Sequence, residues 1–196
     1  MKRVNKMLLG LIGATILSAG LYSCSNDDTA TAPQTETASK LNGGIEQEME
    51  NIVAKYGGTI DFKDVNKEEA YQLSSMQEFN DIMAGIYNSS REPIMLELVK
   101  PSDRYTIYGC ADGIYHGSAN AGMASINFWV TVTDGKITAV NSGLSGLTLG
   151  LGWSQNAASF SGNRAVVSGT YSGNFFWEGI GSVWGSNSSY IITLPC

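Results

Sequence analysis

The chain has 196 residues, with 12 basic and 18 acidic side chains and a formal net charge of −6. An acidic chain without a basic cluster repels phosphate backbones, so we expect no nucleic acid partner. From residue 110 onward the sequence has few charged residues and is rich in Gly, Ser, Asn and aromatic residues. This composition is typical of β structure with glycine-containing turns.

The N-terminus begins with Lys2, Arg3 and Lys6, and an uncharged apolar run follows over residues 7–21. The run is shorter than the ~20 residues that a helix needs to span a bilayer core. A cationic start, a short apolar middle and small residues before a cleavage site are typical of a signal peptide. We therefore expect residues 1–23 to be removed, either as the signal of a protein that is anchored through Cys24 or, as the alternative, as an ordinary secretory signal in which Cys24 is incidental.

Residues 21–24 (Leu-Tyr-Ser-Cys) resemble a bacterial lipobox, and residues 25–28 (Ser-Asn-Asp-Asp) are similar to the acidic export tag of surface lipoproteins of Bacteroidota. The resemblance implies cleavage before Cys24, acylation of its thiol and insertion of the acyl chains into the outer membrane. Two or three chains on one Cys hold a protein far longer than one chain does. We expect display on the cell surface, with a periplasmic orientation as the alternative.

Residues 24–43 are polar, with almost no apolar side chains, and cannot offset the entropy cost of ordering. They are predicted to form a lipidated flexible tether. The remaining residues, 44–196, are numerous enough for one well-packed domain. We predict a helical part over residues 44–90 and a β-rich part over residues 94–196.

Apolar residues spaced by three and four predict a first helix over residues 45–56, ended by Gly57 and Gly58. Short strands are predicted at residues 59–62 and 70–73. Ser75 and Glu78 have the spacing of a capping box and precede a second helical stripe. The stripe consists of Met76, Phe79, Ile82, Met83, Ile86 and Tyr87.

From residue 94 the apolar period changes to two, which predicts strands at residues 94–99 and 105–108. The clearest hairpin has arms at residues 125–133 and 136–141 around Asp134-Gly135, a dipeptide that favours tight two-residue turns. One face of its first arm carries Ile126, Phe128, Val130 and Val132, and the other carries Asn127, Trp129, Thr131 and Thr133.

Further strands are predicted at residues 147–153, 164–171, 175–184 and 190–194, and glycines within them indicate curvature. The predicted fold class is α+β, with two N-terminal helices packed on a curved antiparallel β-sheet or barrel formed mainly by the C-terminal half.

Three cysteines are present, and acylation of Cys24 would leave Cys110 and Cys196 as the remaining pair. An exported protein meets oxidising conditions, so we predict a Cys110–Cys196 disulfide, with two reduced thiols as the alternative. The bond would connect the first strand of the C-terminal sheet to the last.

Residues 112–117 (Asp-Gly-Ile-Tyr-His-Gly), followed by the hairpin residues 130–137, resemble the opening of FMN-binding domains. The sequence contains no counterpart of a flavin-attachment motif after this point. The resemblance is therefore interpreted as a shared hairpin pattern, and no cofactor is expected.

His116 is the only histidine, and with Asp112 it could form part of a catalytic or metal site. The sequence shows no strand-turn-helix elbow for a nucleophile and no further ligands at a metal-binding spacing. Asp134 is assigned to the hairpin turn, so a pair of catalytic carboxylates is not evident either. An enzyme is therefore the third functional hypothesis, and no metal is expected.

The aromatic residues of the β-rich part favour binding of neutral polar ligands, because rings stack on apolar sugar faces while amides bind hydroxyls. Trp129 is the best candidate for exposure, since its neighbours on that strand face are Asn and Thr. The predicted ligand-binding residues are Trp129, Tyr115, Asn127 and Trp177. The alternative is that most of these rings form core.

The leading hypothesis is a membrane-anchored, non-catalytic binding module for a neutral glycan or a small ligand. The alternative is a lipoprotein that acts through protein–protein contact, as an inhibitor, an immunity protein or a subunit of an envelope complex. A cluster of acidic residues in the helical part could attract a basic partner, unless it is simply a solvated surface. The cluster comprises Glu46, Glu48, Glu50, Asp61, Asp64, Glu68 and Glu69.

Overall fold

The structure is a computed structural model that describes residues 35–102 and 109–196, with side chains described from residue 43. Cys24, the predicted signal peptide and most of the predicted tether lie outside the described residues, as does the predicted strand at residues 105–108. None of the helices in the described ranges is long and apolar enough to cross a membrane. The described residues belong to one compact unit.

The described residues form a mixed α and β fold whose strands lie mostly in the C-terminal half, as predicted. The helices are α1 (Thr35–Tyr56) and α2 (Met76–Ser89). The strands are β1 (Thr59–Phe62), β2 (Tyr71–Gln72), β3 (Ile94–Met95), β4 (Glu97–Pro101), β5 (Gly113–Ala121), β6 (Ala124–Thr133), β7 (Lys136–Gly146), β8 (Leu151–Ser161), β9 (Arg164–Trp177) and β10 (Ile180–Thr193).

Helix α1 begins at Thr35, inside the segment that was predicted to be a tether. Extending an existing helix needs no new nucleation, so polar residues can be helical ahead of an amphipathic segment. Ile45, Met49 and Val53 are the buried residues that anchor this segment to the core. The helix ends at Tyr56, as predicted.

Helix α2 begins with the predicted capping interaction between Ser75 and Glu78, except that the hydrogen bond returned to Glu78 comes from Ser74 instead of Ser75. The side chain of Ser75 accepts a hydrogen bond from the backbone N–H of Glu78 at 3.1 Å. The carboxylate of Glu78 accepts in return from the backbone N–H of Ser74 at 2.7 Å, rather than from Ser75. The predicted apolar stripe is core, since Phe79, Ile82, Met83 and Ile86 are buried.

The strands form two sheets. The small sheet has the order β4-β5-β6-β7 and is antiparallel throughout. The large sheet has the order β1-β10-β9-β2, with β3 also paired to β10 and β8 to β9. The two-residue strand β2 pairs in parallel with β9, and the two-residue strand β3 pairs in parallel with β10. The other pairings between described strands are antiparallel, as predicted for the C-terminal half. Strand β2 precedes α2 and strand β3 follows it, so the packing of this helix, and not a hairpin turn, sets the direction in which the two strands run. Closure into a barrel stays a prediction.

The predicted hairpin around Asp134-Gly135 is confirmed as β6 and β7. Asp134 has φ 53° and Gly135 has φ 72°, the left-handed pair that a two-residue type I′ turn requires. The alternation is also confirmed, because Phe128 and Val130 are both fully buried while Trp129 is 41% exposed.

Two of the later strand predictions need correction. The predicted strand at residues 147–153 begins only at Leu151, because the preceding residues form a turn in which Gly150 has φ 70°. The predicted strand at residues 175–184 is interrupted by a tight turn at Glu178 (φ 48°) and Gly179 (φ 89°), which joins β9 to β10. Apolar residues on both sides of this Glu-Gly pair concealed the turn in the sequence pattern.

The predicted disulfide between Cys110 and Cys196 is present, with a Cα–Cα distance of 5.1 Å. It connects the segment before β5 in the small sheet to the segment after β10 in the large sheet. Cys110 is buried, whereas Cys196 is exposed.

The inner faces of the two sheets and helix α2 form one core. The ring of Phe128 on the small sheet lies 5.1 Å from the ring of Tyr190 on the large sheet. Phe79 of α2 contacts Phe175 of β9 edge to face at 5.1 Å. The buried hydroxyl of Tyr190 is hydrogen bonded to Tyr171 at 2.7 Å and to Ser89 of α2 at 2.8 Å.

Reduction of the disulfide is expected to lower the free energy of unfolding by up to about 4–5 kcal/mol, because the two cysteines are 86 residues apart and the bond restricts a long loop in the unfolded chain. Urea unfolding of the full chain with and without a reductant measures this. A Cys24→Ser chain is the control and should show the same difference. Equal midpoints in both conditions would contradict the stabilising role.

Gly58→Ala is expected to destabilise the fold by about 2–4 kcal/mol. Gly58 has φ +118°, and a Cβ there would lie 2.6 Å from the carbonyl oxygen of Gly185 and 2.7 Å from the indole nitrogen of Trp184. Gly57→Ala is the matched control: its φ is +87°, with nothing within 4 Å, so only backbone strain of about 1–2 kcal/mol applies. Thermal denaturation of both variants measures the difference, and equal losses would argue against the close packing at Gly58.

Candidate functional site

Trp129, at the centre of β6, is the one tryptophan in the strands of the small sheet. Its side chain is 41% exposed, whereas its strand neighbours Phe128 and Val130 face inward and are fully buried. Strand alternation therefore places the indole on the outer face of the sheet, as the sequence predicted.

Trp129 lies between His116 on β5 and Asn141 on β7, which are its partners in the strand register. The rings of His116 and Trp129 have their centroids 5.5 Å apart with an interplanar angle of 39°. Beside the indole is Gly143, where an added Cβ would lie 3.8 Å from the indole ring. The absence of a side chain at Gly143 leaves the edge of the indole accessible.

Asn127 lies on the same face as Trp129 and connects its neighbours. Its side-chain oxygen is hydrogen bonded to Nε2 of His116 at 3.1 Å. Its amide nitrogen donates to the hydroxyl of Ser145 at 2.6 Å. We call the set Trp129, His116, Asn127, Asn141 and Ser145 the Trp129 face.

Two of the predicted ligand-binding residues do not belong to this face. Tyr115 is only 3% exposed, because it points into the core from β5 and its hydroxyl donates to the carbonyl of Ala111 at 3.0 Å. Burial raises the pKa of this phenol. Trp177 lies at the end of β9 in the large sheet, where it is partly buried against the core. The structure thus brings together Trp129 and Asn127 but neither of the other two.

Asp112 and His116 do not form a catalytic pair. Asp112 is 3% exposed, and its two carboxylate oxygens accept hydrogen bonds from the backbone N–H groups of Asp134 (3.0 Å) and Gly135 (2.9 Å). It therefore holds the β6–β7 turn, while His116 is bonded to Asn127 on the outer face. Among the described residues, no three His, Cys, Asp or Glu side chains gather as metal ligands.

Sequence reasoning missed a groove of about 750 Å³ between the C-terminal ends of both helices and the middle of β10. Its walls include Tyr56 and Tyr87, whose ring centroids are 5.7 Å apart, and Arg91, whose guanidinium lies 4.1 Å from the centroid of the Tyr87 ring. The polar residues 186–189 of β10 also line it. The uncharged Ser-Asn-Ser-Ser run at residues 186–189 was the available sequence signal for this groove. The other residues that wall the groove are distant in the chain, so the sequence pattern did not show that they meet.

Comparisons of the chain with protein-family models, with curated proteins and with solved structures find no match.

Asp112→Asn is expected to destabilise the fold by about 1–3 kcal/mol, because an amide cannot accept both turn N–H groups and its own NH₂ would oppose one of them. Asp134→Asn is the control, since Asn also adopts the left-handed conformation of the turn. Urea unfolding of both variants measures the effect. A near-native stability for Asp112→Asn would refute the role of the carboxylate in holding this turn.

Proposed function

We propose that this protein is an envelope lipoprotein that binds a neutral glycan, without catalysis, on the Trp129 face. The observation that carries the proposal is a tryptophan 41% exposed at the centre of an outer sheet face, beside an ordered Asn–His–Ser hydrogen-bond network. A sugar presents an apolar C–H face and a rim of hydroxyls. The indole suits the first, and the amide, imidazole and hydroxyl groups suit the second.

A neutral ligand is favoured by the charges around the indole. The residues paired with Trp129 and Asn127 on the neighbouring strands are His116, Asn141, Ser118 and Gly143, and they include no Lys, Arg, Asp or Glu. An anionic sugar would therefore find no counter-charge among these partners, and the exposed carboxylate of Glu97, which pairs with His116 from β4, would repel it. Because Asn127 is already held by His116 and Ser145, little side-chain entropy is lost when a ligand binds.

The envelope location rests on the sequence. The lipobox-like residues 21–24 and the acidic residues that follow support acylation of Cys24 and anchoring in the outer membrane, facing outward. The anchor would hold the Trp129 face close to the polysaccharides of the cell surface. Mass spectrometry of the mature N-terminus tests the anchor separately from the binding.

Protein–protein contact is the second candidate function. All members of the acidic cluster in the helical part except Glu46 are exposed, as an attractive surface for a basic partner requires. Solvated acidic residues have the same exposure, so this observation supports the second candidate less strongly than the Trp129 face supports the first.

Trp129→Ala is expected to weaken binding of any neutral oligosaccharide found in a glycan screen by at least about tenfold, because the stacking surface is lost. Trp129→Phe should retain part of the affinity. Phe160→Ala is the matched control, since Phe160 is 47% exposed but lies on β8 of the large sheet. Calorimetric titration measures each variant, and a Trp129→Ala chain that binds every hit as well as wild type would sink the proposal.

A further inference from the structure

The large sheet contains a gap along one side of β10. Strand β9 pairs with β10 over its whole length, from Ile180 to Thr193, without a register shift. On the opposite side, β1 pairs only with residues 182–185 and β3 only with residues 192–193. Within the described ranges, no strand pairs with residues 186–191 on that side.

The hydrogen bonds at the two ends of the gap identify the backbone groups of β10 that point into it. The carbonyl of Gly181 accepts from the backbone N–H of Lys63 at 3.0 Å, and the carbonyl of Thr193 accepts from that of Leu96 at 3.0 Å. Both carbonyls therefore point away from β9. Because backbone direction alternates along a strand, the N–H and C=O groups of residues 187, 189 and 191 point the same way.

This edge has the features of a strand-binding site. Unpaired sheet edges accept an added strand, and proteins usually protect them with charges, prolines or bulges. Residues 186–191 (Ser-Asn-Ser-Ser-Tyr-Ile) include no charged residue and no proline, and the ladder with β9 has no bulge there. The groove walled by Tyr56 and Tyr87 opens over the first part of this edge and provides space of about 750 Å³.

Arg91 is the one charged residue among the described residues that line the groove, and its positive charge favours an acidic occupant. Arg91 lies against the ring of Tyr87, and Nζ of Lys55 lies 4.6 Å from the ring centroid of Tyr56. No Asp or Glu is among the described residues that line the groove.

We propose that an extended segment of a partner protein, carrying acidic side chains, binds here as an additional strand between β1 and β3. Its backbone pairs with residues 187, 189 and 191, and its acidic side chains meet Lys55 and Arg91. Six residues of strand span about 20 Å, so the segment is short. This interaction uses a different sheet from the Trp129 face and does not depend on glycan binding.

The test uses the full chain and a synthetic peptide, acetyl-Glu-Thr-Val-Thr-Val-Glu-amide. Amide hydrogen exchange measured by NMR should show rapid exchange of the Asn187, Ser189 and Ile191 amides in the free chain and protection when the peptide binds. The amides of Ser188 and Tyr190 point toward β9 and should be unchanged. A peptide with Lys in place of Glu should bind at least about tenfold more weakly.

Ser189→Pro removes one N–H group that faces the gap and is expected to weaken peptide binding at least about tenfold. Ser189→Ala keeps that N–H group and should bind as wild type does. Trp129→Ala should also leave peptide binding unchanged, which separates this proposal from the glycan site. Because the exchange experiment uses the wild-type chain, it tests the proposal even if the Ser189→Pro variant does not fold.

Three results would overturn the proposal. One is protection of the three amides in the free chain, which would mean that the gap is already filled. Another is no added protection with the peptide at millimolar concentration. The third is protection of the same amides by a neutral oligosaccharide but not by the peptide, which would make the groove a sugar site.

Discussion

The arrangement of the two sheets and helix α2 depends on the burial of Tyr190. Its ring packs against Phe128 of the small sheet and against Trp153 of β8, while its hydroxyl is bonded to Tyr171 and to Ser89 of α2. A buried hydroxyl without a partner is costly, so these bonds restrict where α2 can lie. Burial raises the pKa of both tyrosines, so the network remains neutral.

The surfaces left for binding are a consequence of this core. Because alternate residues of β6 fill the space against the large sheet, Trp129 has to face outward, where β5 and β7 surround it with polar groups. The gap along β10 has a related cause. Strand β1 adjoins the end of α1 and strand β3 follows the end of α2, so each covers only one end of β10.

Part of the candidate site was predictable because period-two alternation and an Asp-Gly turn are local signals. They were enough to assign Trp129 and Asn127 to an outer face and Ile126 and Phe128 to the core. Tyr115 was chosen for its aromatic ring, which does not reveal that the residue pairs with the buried Val130 and faces the core. The role of Asp112 was hidden for a similar reason, since its partners Asp134 and Gly135 are more than twenty residues away.

The amino-acid sequence by itself determined the helix stripes, the capping residues of α2 and the β6–β7 hairpin, and it predicted the pairing of Cys110 with Cys196 on the condition that Cys24 is acylated. These features depend on neighbouring residues, on composition or on the number of available cysteines. Only the tertiary structure decided that β2 pairs in parallel with β9 and β3 with β10. It also decided the turn at Glu178-Gly179, the groove beside Tyr56 and Tyr87, and the open edge of β10. The strand pairings and the groove depend on which distant segments meet, and that choice is made by packing the whole core rather than by any local pattern.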